Sequence, residues 1–155
     1  MMSETIEETK MKTYSREEVM QESIKYFNGD ELAATVWLNK YALKDSAGNI
    51  YESSPTEMHW RIANELARIE EKYPNPRFDV EQAFDLIDQF KFIVPQGSPM
   101  AGIGNNLQTV SLSNCFVMNT VPDSMRGIFA TLGESALTMQ QGGGIGTDFS
   151  TLRPK

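Results

Sequence analysis

The chain is poor in cysteine, histidine and basic charge, and each shortage closes off a class of function. One cysteine, Cys115, in 155 residues permits neither an internal disulfide nor a thiolate cage for a metal, which leaves a buried inert thiol or a reactive one. One histidine, His59, supplies no metal-ligand set, so no metal site is expected; inside a charged helix it reads as structural or solvated. Lys and Arg number 14 against 21 Asp and Glu, a net charge of -7. No basic stripe is present to neutralise phosphates, and direct nucleic-acid binding is not expected. No run of about 18 apolar residues occurs, and Met1 to Lys12 is polar without an apolar leader core. A membrane span and an export leader are therefore not expected, and the expected location is cytoplasmic. Internal repeats and low-complexity tracts are also missing.

What is present is unevenly distributed. Residues 1–90 hold 10 basic against 18 acidic side chains, residues 91–155 hold 4 against 3, and nine of the 11 glycines lie in that second stretch. A charged, glycine-poor front half predicts solvated amphipathic helices. A neutral, glycine-rich back half predicts buried strands with tight turns near a ligand. The division falls near Ile93 to Gly97.

Met1 to Tyr14 lacks periodicity and reads as a flexible tail. Ser15 with Glu18 forms a capping box that opens a helix to about Phe27, ended by Asn28 and Gly29. Asp30 caps a second helix, with Ala33, Val36, Trp37 and Tyr41 on one face. Asp45 to Asn49 is a turn. Ser54-Pro-Thr-Glu57 starts a third helix with the stripe Met58, Ile62, Leu66, Ile69 and Tyr73, stopped by Pro74 and Pro76. Asp79 with Gln82 opens a fourth, presenting Val80, Phe84 and Ile87.

From Phe92 onward glycine and proline punctuate short apolar runs. Ser98-Pro99 with Gly102 and Gly104 reads as loop chemistry. Val110 to Met118 is the clearest strand, with Val110, Leu112, Phe116 and Met118 on one face and Ser111, Ser113, Cys115 and Val117 on the other. Asp123 caps a helix whose face is Met125, Ile128, Phe129, Leu132, Ala136 and Met139, closed by Gly142 to Gly144. Ile145 to Leu152 reads as a second strand. Strand, helix and strand in this order form one parallel crossover unit of an α/β sheet.

Three features of the back half bear on chemistry. Gly142-Gly-Gly-Ile-Gly146 is no Walker loop, because no Lys-Ser or Lys-Thr follows, and it fails G-x-G-x-x-G. It reads either as a helix cap running into a turn or as bare backbone suited to phosphate or ribose oxygens. Cys115 reads either as a small core residue or as a functional thiol, since Ser111 and Ser113 make its face suit a polar substrate. Asp123-Ser124 is either a plain N-cap or a helix N-terminus where a nucleotide binds.

Pro95-Gln-Gly-Ser-Pro-Met-Ala-Gly102, Ser111-Leu-Ser-Asn-Cys-Phe-Val117, Asp123-Ser124 and Gly142-Gly-Gly-Ile-Gly-Thr-Asp-Phe-Ser-Thr-Leu-Arg-Pro154 together resemble the catalytic subunit of ribonucleotide reductases. The front segment Leu32 to Leu43, Gly48-Asn-Ile and Arg61-Ile-Ala is similar to the helical part that precedes the barrel in that family. The resemblance covers roughly residues 15–155 and is greatest to the adenosylcobalamin-dependent class, with the diiron-dependent class as the alternative.

The resemblance implies an α/β fold: an N-terminal all-α segment, residues 15–92, followed in residues 93–155 by the first strand-helix-strand unit of a ten-stranded α/β barrel. It implies ribonucleotide reduction, in which a thiyl radical removes the ribose 3′ hydrogen and two further cysteines supply electrons as they become a disulfide. Cys115 corresponds to one member of that reducing pair. Ser98, Asn114, Cys115 and the backbone at Gly144 become substrate contacts, though strict alternation points Asn114 away from Cys115. Asp123 and Ser124 fall where a deoxynucleotide or ATP effector binds, and helix 124–140 becomes a homodimer contact. The substrate is a ribonucleoside di- or triphosphate, and adenosylcobalamin or a diiron radical subunit generates the radical.

Length is the departure. The remaining cysteines and the catalytic asparagine and glutamate of the family belong to later barrel segments, and a single thiol cannot store two electrons as an intramolecular disulfide. The expectation is a chain inactive alone, either half of a split enzyme completed by a complementary chain or a truncated product. A noncatalytic nucleotide-binding or regulatory module on the same scaffold is the alternative.

Overall fold

The computed structural model describes residues 12–154, so residues 1–11 of the expected tail, and Lys155, lie outside it. Six helices and two short strands follow in the order α1 (Arg16–Tyr26), α2 (Glu31–Lys40), α3 (Pro55–Glu70), α4 (Val80–Ile87), α5 (Gly97–Gly102), β1 (Cys115–Val117), α6 (Met125–Gln140) and β2 (Gly144–Gly146). Tyr14, at the edge of the expected tail, bridges antiparallel to Ile50, its N–H donating to the Ile50 carbonyl at 2.9 Å.

Local chemistry sets most helix ends. Ser15 and Glu18 form the full capping box of α1, as do Asp79 and Gln82 in α4. At the end of α1, the Asn28 N–H reaches Lys25 O and the Gly29 N–H reaches Ile24 O, a Schellman closure that explains the left-handed Asn28 (φ 53°). α3 starts at Pro55 as its sequence predicts, but Ser54 makes no side-chain cap; Glu57 instead accepts the Ser53 N–H at 2.5 Å.

Helices α1 to α4 enclose one apolar core of Val19, Trp37, Leu38, Ala42, Ile50, Met58, Ile62, Ala63, Ala83 and Ile87, joined by Met100 from α5. Two predicted faces are rotated or shortened. In α2 the buried residues are Ala34, Trp37 and Leu38, while Val36 is exposed, because α2 turns its 34/37/38 edge to α1 and α3. In α3 Met58 and Ile62 are buried, but Ile69 and Tyr73 are exposed, since no element covers that end. His59 is structural, not solvated: its side chain is fully buried, with the Phe90 ring edge-on at 4.8 Å.

The back half is less regular than its sequence suggests. Ser98 and Pro99 sit in the short helix α5 rather than in a loop. The predicted strand contracts to Cys115–Val117 and is exposed along its whole length instead of buried, since no further strand or helix covers it among the described residues; Ser111 and Ser113 bond to one another in a local turn, Ser113 N–H donating to Ser111 Oγ at 3.1 Å. The second strand is Gly144–Gly146, not Ile145 to Leu152. The two strands pair in parallel, Cys115 with Gly144, Phe116 with Ile145 and Val117 with Gly146, with α6 as the crossover.

The cap of α6 is Ser124, whose side chain accepts from the Gly127 N–H; Asp123 lies one residue too early to do this. The helix ends in a second Schellman closure, Gly142 N–H to Met139 O and Gly143 N–H to Thr138 O, with Gly142 at φ 83° where a side chain would be strained. Its apolar residues do not face the sheet. Met125, Phe129, Leu132 and Met139 are all more than half exposed, whereas Ser135 is buried and donates to the Thr131 carbonyl at 2.7 Å. Ser135 is the buried residue of this helix, and its large side chains are left outside.

Candidate functional site

Cys115 opens β1 and its thiol is exposed. The parallel register sets it beside Gly144, and a β-carbon on Gly144 would lie 3.7 Å from Cys115 Sγ. Bare backbone therefore borders the sulfur. The preceding glycine is needed for a different reason, as a β-carbon on Gly143 would sit 2.8 Å from the Phe116 ring.

Asn114 ties the neighbourhood together. Its carbonyl accepts the Gly144 N–H at 2.7 Å. Its side-chain Oδ1 accepts the Ser98 N–H at 3.0 Å and also the Ser98 hydroxyl. Its Nδ2 donates to Gln96 Oε1 at 2.9 Å. The structure thus brings Ser98, Asn114, Cys115 and Gly144 into one group, half-buried at Ser98 and Asn114 and open to solvent at Cys115 and Gly144. Asn114 precedes β1, so strand alternation does not govern it, and it belongs to the group through its bonds. The polar surroundings come from Ser98, Asn114 and the Gly144 backbone rather than from Ser111 and Ser113.

Arg61 positions α5 from the helical side. It pairs with Glu52 through Nε at 2.7 Å and donates to the carbonyls of Met100, at 3.0 Å, and Ile103. Burial pushes the Glu52 carboxyl above its usual range in spite of the opposing Arg61 charge.

Asp123 and Ser124 stand apart. Among the described residues no hydrogen bond or ion pair joins them to the Cys115 group. They line a shallow cavity of about 310 Å³ with Met125, Ile128, Leu152, Arg153 and Pro154, across which Arg153 Nε lies 3.5 Å from Asp123 Oδ2. Nearby, the Ser150 N–H and hydroxyl hold the Asp148 carboxyl below its usual range. Reading the residues one by one missed Gln96, Arg61 and Arg153. Arg61 and Arg153 are each a lone basic side chain in the segments quoted above, while Gln96 bears no local mark, its partner being 18 positions away.

Two sequence models match the chain: the ribonucleotide reductase all-alpha domain over residues 27–106 and the ribonucleotide reductase barrel domain over residues 113–155. A vitamin B12-dependent ribonucleoside-diphosphate reductase of Mycobacterium tuberculosis is 36% identical over 124 residues, 79% of this chain and 17% of that protein. A ribonucleoside-diphosphate reductase subunit alpha of Helicobacter pylori is 32% identical over 129 residues, 82% of this chain and 15% of that protein. A vitamin B12-dependent ribonucleoside-diphosphate reductase of Thermoplasma acidophilum is 45% identical over 62 residues, 40% of this chain and 8% of that protein. The chain spans less than a fifth of each of these relatives. Helical core, crossover and matched domains agree: the chain belongs to the ribonucleotide reductase large-subunit family, carrying its all-alpha domain and the opening of its barrel.

Proposed function

We propose that the chain supplies one thiol and part of the substrate seat for ribonucleotide reduction, completed by barrel segments beyond it. The observation that carries this reading is the exposed Cys115 thiol against the bare Gly144 backbone, with Ser98 held beside it through Asn114. In the completed barrel the ribose 2′-hydroxyl leaves as water, hydrogen takes its place, and two thiols lose two electrons as they form a disulfide. Cys115 is one of those thiols. Ser98, Asn114 and the Gly144 backbone contact the substrate, and the names of the relatives support a ribonucleoside diphosphate. With one cysteine this chain alone does not turn over. We take residues 15–92 as the helical domain, 93–155 as the start of the barrel, and the cytoplasm as its location; no helix among the described residues is long and apolar enough to cross a membrane.

Two of the relatives' names support adenosylcobalamin as the radical source. Among the described residues the one imidazole, His59, is enclosed by Tyr26, Phe90 and Asp88 and is not available as a cobalt ligand. The contacts of that group are assigned to other segments, and no step here depends on it. Asp123, Ser124 and Arg153 form the effector seat, and the exposed face of α6 is the homodimer contact.

The test is reconstitution with a chain carrying the rest of the barrel. Reduction is expected from the assembly and not from either part, and Cys115→Ser should abolish multiple turnover. Normal turnover of Cys115→Ser with thiol reductants would remove the assigned role. Tight nucleotide binding by the isolated chain, with no reduction on assembly, would favour the regulatory alternative built on the Asp123 cavity.

A further inference from the structure

We infer that Gln96 is a positioning residue that anchors the Asn114 side chain and, through it, the place of Ser98 beside Cys115; this rests on the ribonucleotide-reduction reading above. Gln96 is the N-cap residue of α5, yet its side chain makes no cap bond. It reaches instead to Asn114 Nδ2 at 2.9 Å.

The orientation of the Asn114 amide follows from chemistry. The Ser98 backbone N–H can only donate, so the atom 3.0 Å from it must be Oδ1. The Nδ2 end then faces Gln96, which must offer its oxygen. With the Asn114 amide turned over, Nδ2 would confront the Ser98 N–H, donor to donor; Ser98 thus sets the polarity of the amide, and Gln96 Oε1 anchors its Nδ2 end. Gln96 Oε1 and Ser98 N–H therefore hold the amide from opposite ends. Oδ1 takes two donors from Ser98, and the Asn114 carbonyl takes the Gly144 N–H. Gln96 and Ser98 lie within the all-alpha match, and Asn114 and Gly144 within the barrel match. The contact links the stretches matched by the two sequence models at the point where Cys115 begins β1.

Gln96 is exposed, so its substitution should spare the fold. The chemistry also separates a specific role from bulk. Glutamate keeps an acceptor for Nδ2, whereas methionine keeps the length and loses it.

In the isolated chain, the side-chain amide resonances of Asn114 should show one proton shifted downfield and protected from exchange. Gln96→Met should abolish that signature and Gln96→Glu should retain it, with helical circular dichroism unchanged in both. In the reconstituted enzyme, Gln96→Met should raise the substrate KM about five- to tenfold, the loss expected for one hydrogen bond, with kcat within about twofold, and Gln96→Glu should restore KM. Unchanged Asn114 resonances in Gln96→Met, or failure of Gln96→Glu to restore KM, would overturn the inference. Absence of any reduction by the wild-type assembly would overturn the functional reading instead, and the amide resonances would still decide the role of Gln96.

Discussion

Arg61 donates through Nε to Glu52 Oε1 at 2.7 Å, with less than a tenth of either side chain exposed. Removing one member of such a pair leaves the other charge buried without a partner, which costs about 3–5 kcal/mol. Arg61→Met is expected to destabilise the chain by that order in urea unfolding, and also to free the Met100 and Ile103 carbonyls that anchor α5. Arg61→Met combined with Glu52→Gln should recover part of the loss. Full additivity of the two changes would show that they act independently.

Stability between the acid and neutral ranges should report His59. Burial lowers its proton affinity below the ordinary 6.5, against the pull of Asp88. The unfolded chain takes up the proton first, so stability falls as pH drops below 6.5 and levels once the folded form also protonates. Glu52, raised by burial above 4.5, works in the opposite direction just above that value. Denaturation midpoints of wild type and His59→Phe across this range isolate the histidine: the difference between them should change with pH below 6.5 and be constant above it. At alkaline pH, burial pushes Tyr26 up to about 12, so its contribution holds below 10 and is lost between 10 and 12.

Two glycines on either side of one helix end should respond with opposite sign. A β-carbon on Gly133 of α6 meets nothing within 4 Å, whereas one on Gly143 meets the Phe116 ring at 2.8 Å and Thr138 Cγ2 at 3.0 Å. Gly133→Ala is expected to stabilise by about 0.5–1 kcal/mol. Gly143→Ala should destabilise by about 1–3 kcal/mol and broaden the Cys115 and Val117 amide resonances. Thermal melts of the two variants side by side provide the check.

Ser124 and Asp123 should separate capping from ligand binding. Ser124→Ala loses the bond from Gly127 N–H and should cost about 1 kcal/mol of stability. Asp123→Ala makes no such change, since its partner is the mostly exposed Arg153. Its expected effect is on effector affinity, read by calorimetry with deoxynucleotides. If Asp123→Ala left affinity unchanged, the effector seat would lie elsewhere.

These contrasts show which parts of the molecule the chain spells out locally. The capping boxes of Ser15 with Glu18 and Asp79 with Gln82 were legible because each is closed within four residues. The face of α2 was not, because Ala34 and Leu38 become interior only once α1 and α3 surround them. The strand from Val110 failed for the same reason: alternation marks a chain able to pair, and among the described residues only Cys115–Val117 finds a partner. Ser98-Pro99 with Gly102 and Gly104 was read as loop chemistry, yet Ser98, Pro99 and Gly102 fall in α5, whose end Arg61 holds through the Met100 and Ile103 carbonyls. Within the candidate site, Ser98, Asn114, Cys115 and Gly144 could be named from motifs. The bonds that unite them run through Asn114, with Gln96 at its far end, long-range contacts with no periodic mark.

The parallel pairing of Cys115 with Gly144, described above as a matter of register, also sets an order of assembly. The helical core draws on no residue beyond Ile103, while β1 cannot pair until the chain has passed through α6 to Gly144–Gly146. During synthesis the helical core is therefore complete while Cys115 still waits for Gly144. The thiol is thus delivered to a prepared surface, and errors in this chain should concentrate at the last step, where strand edges stay open longest.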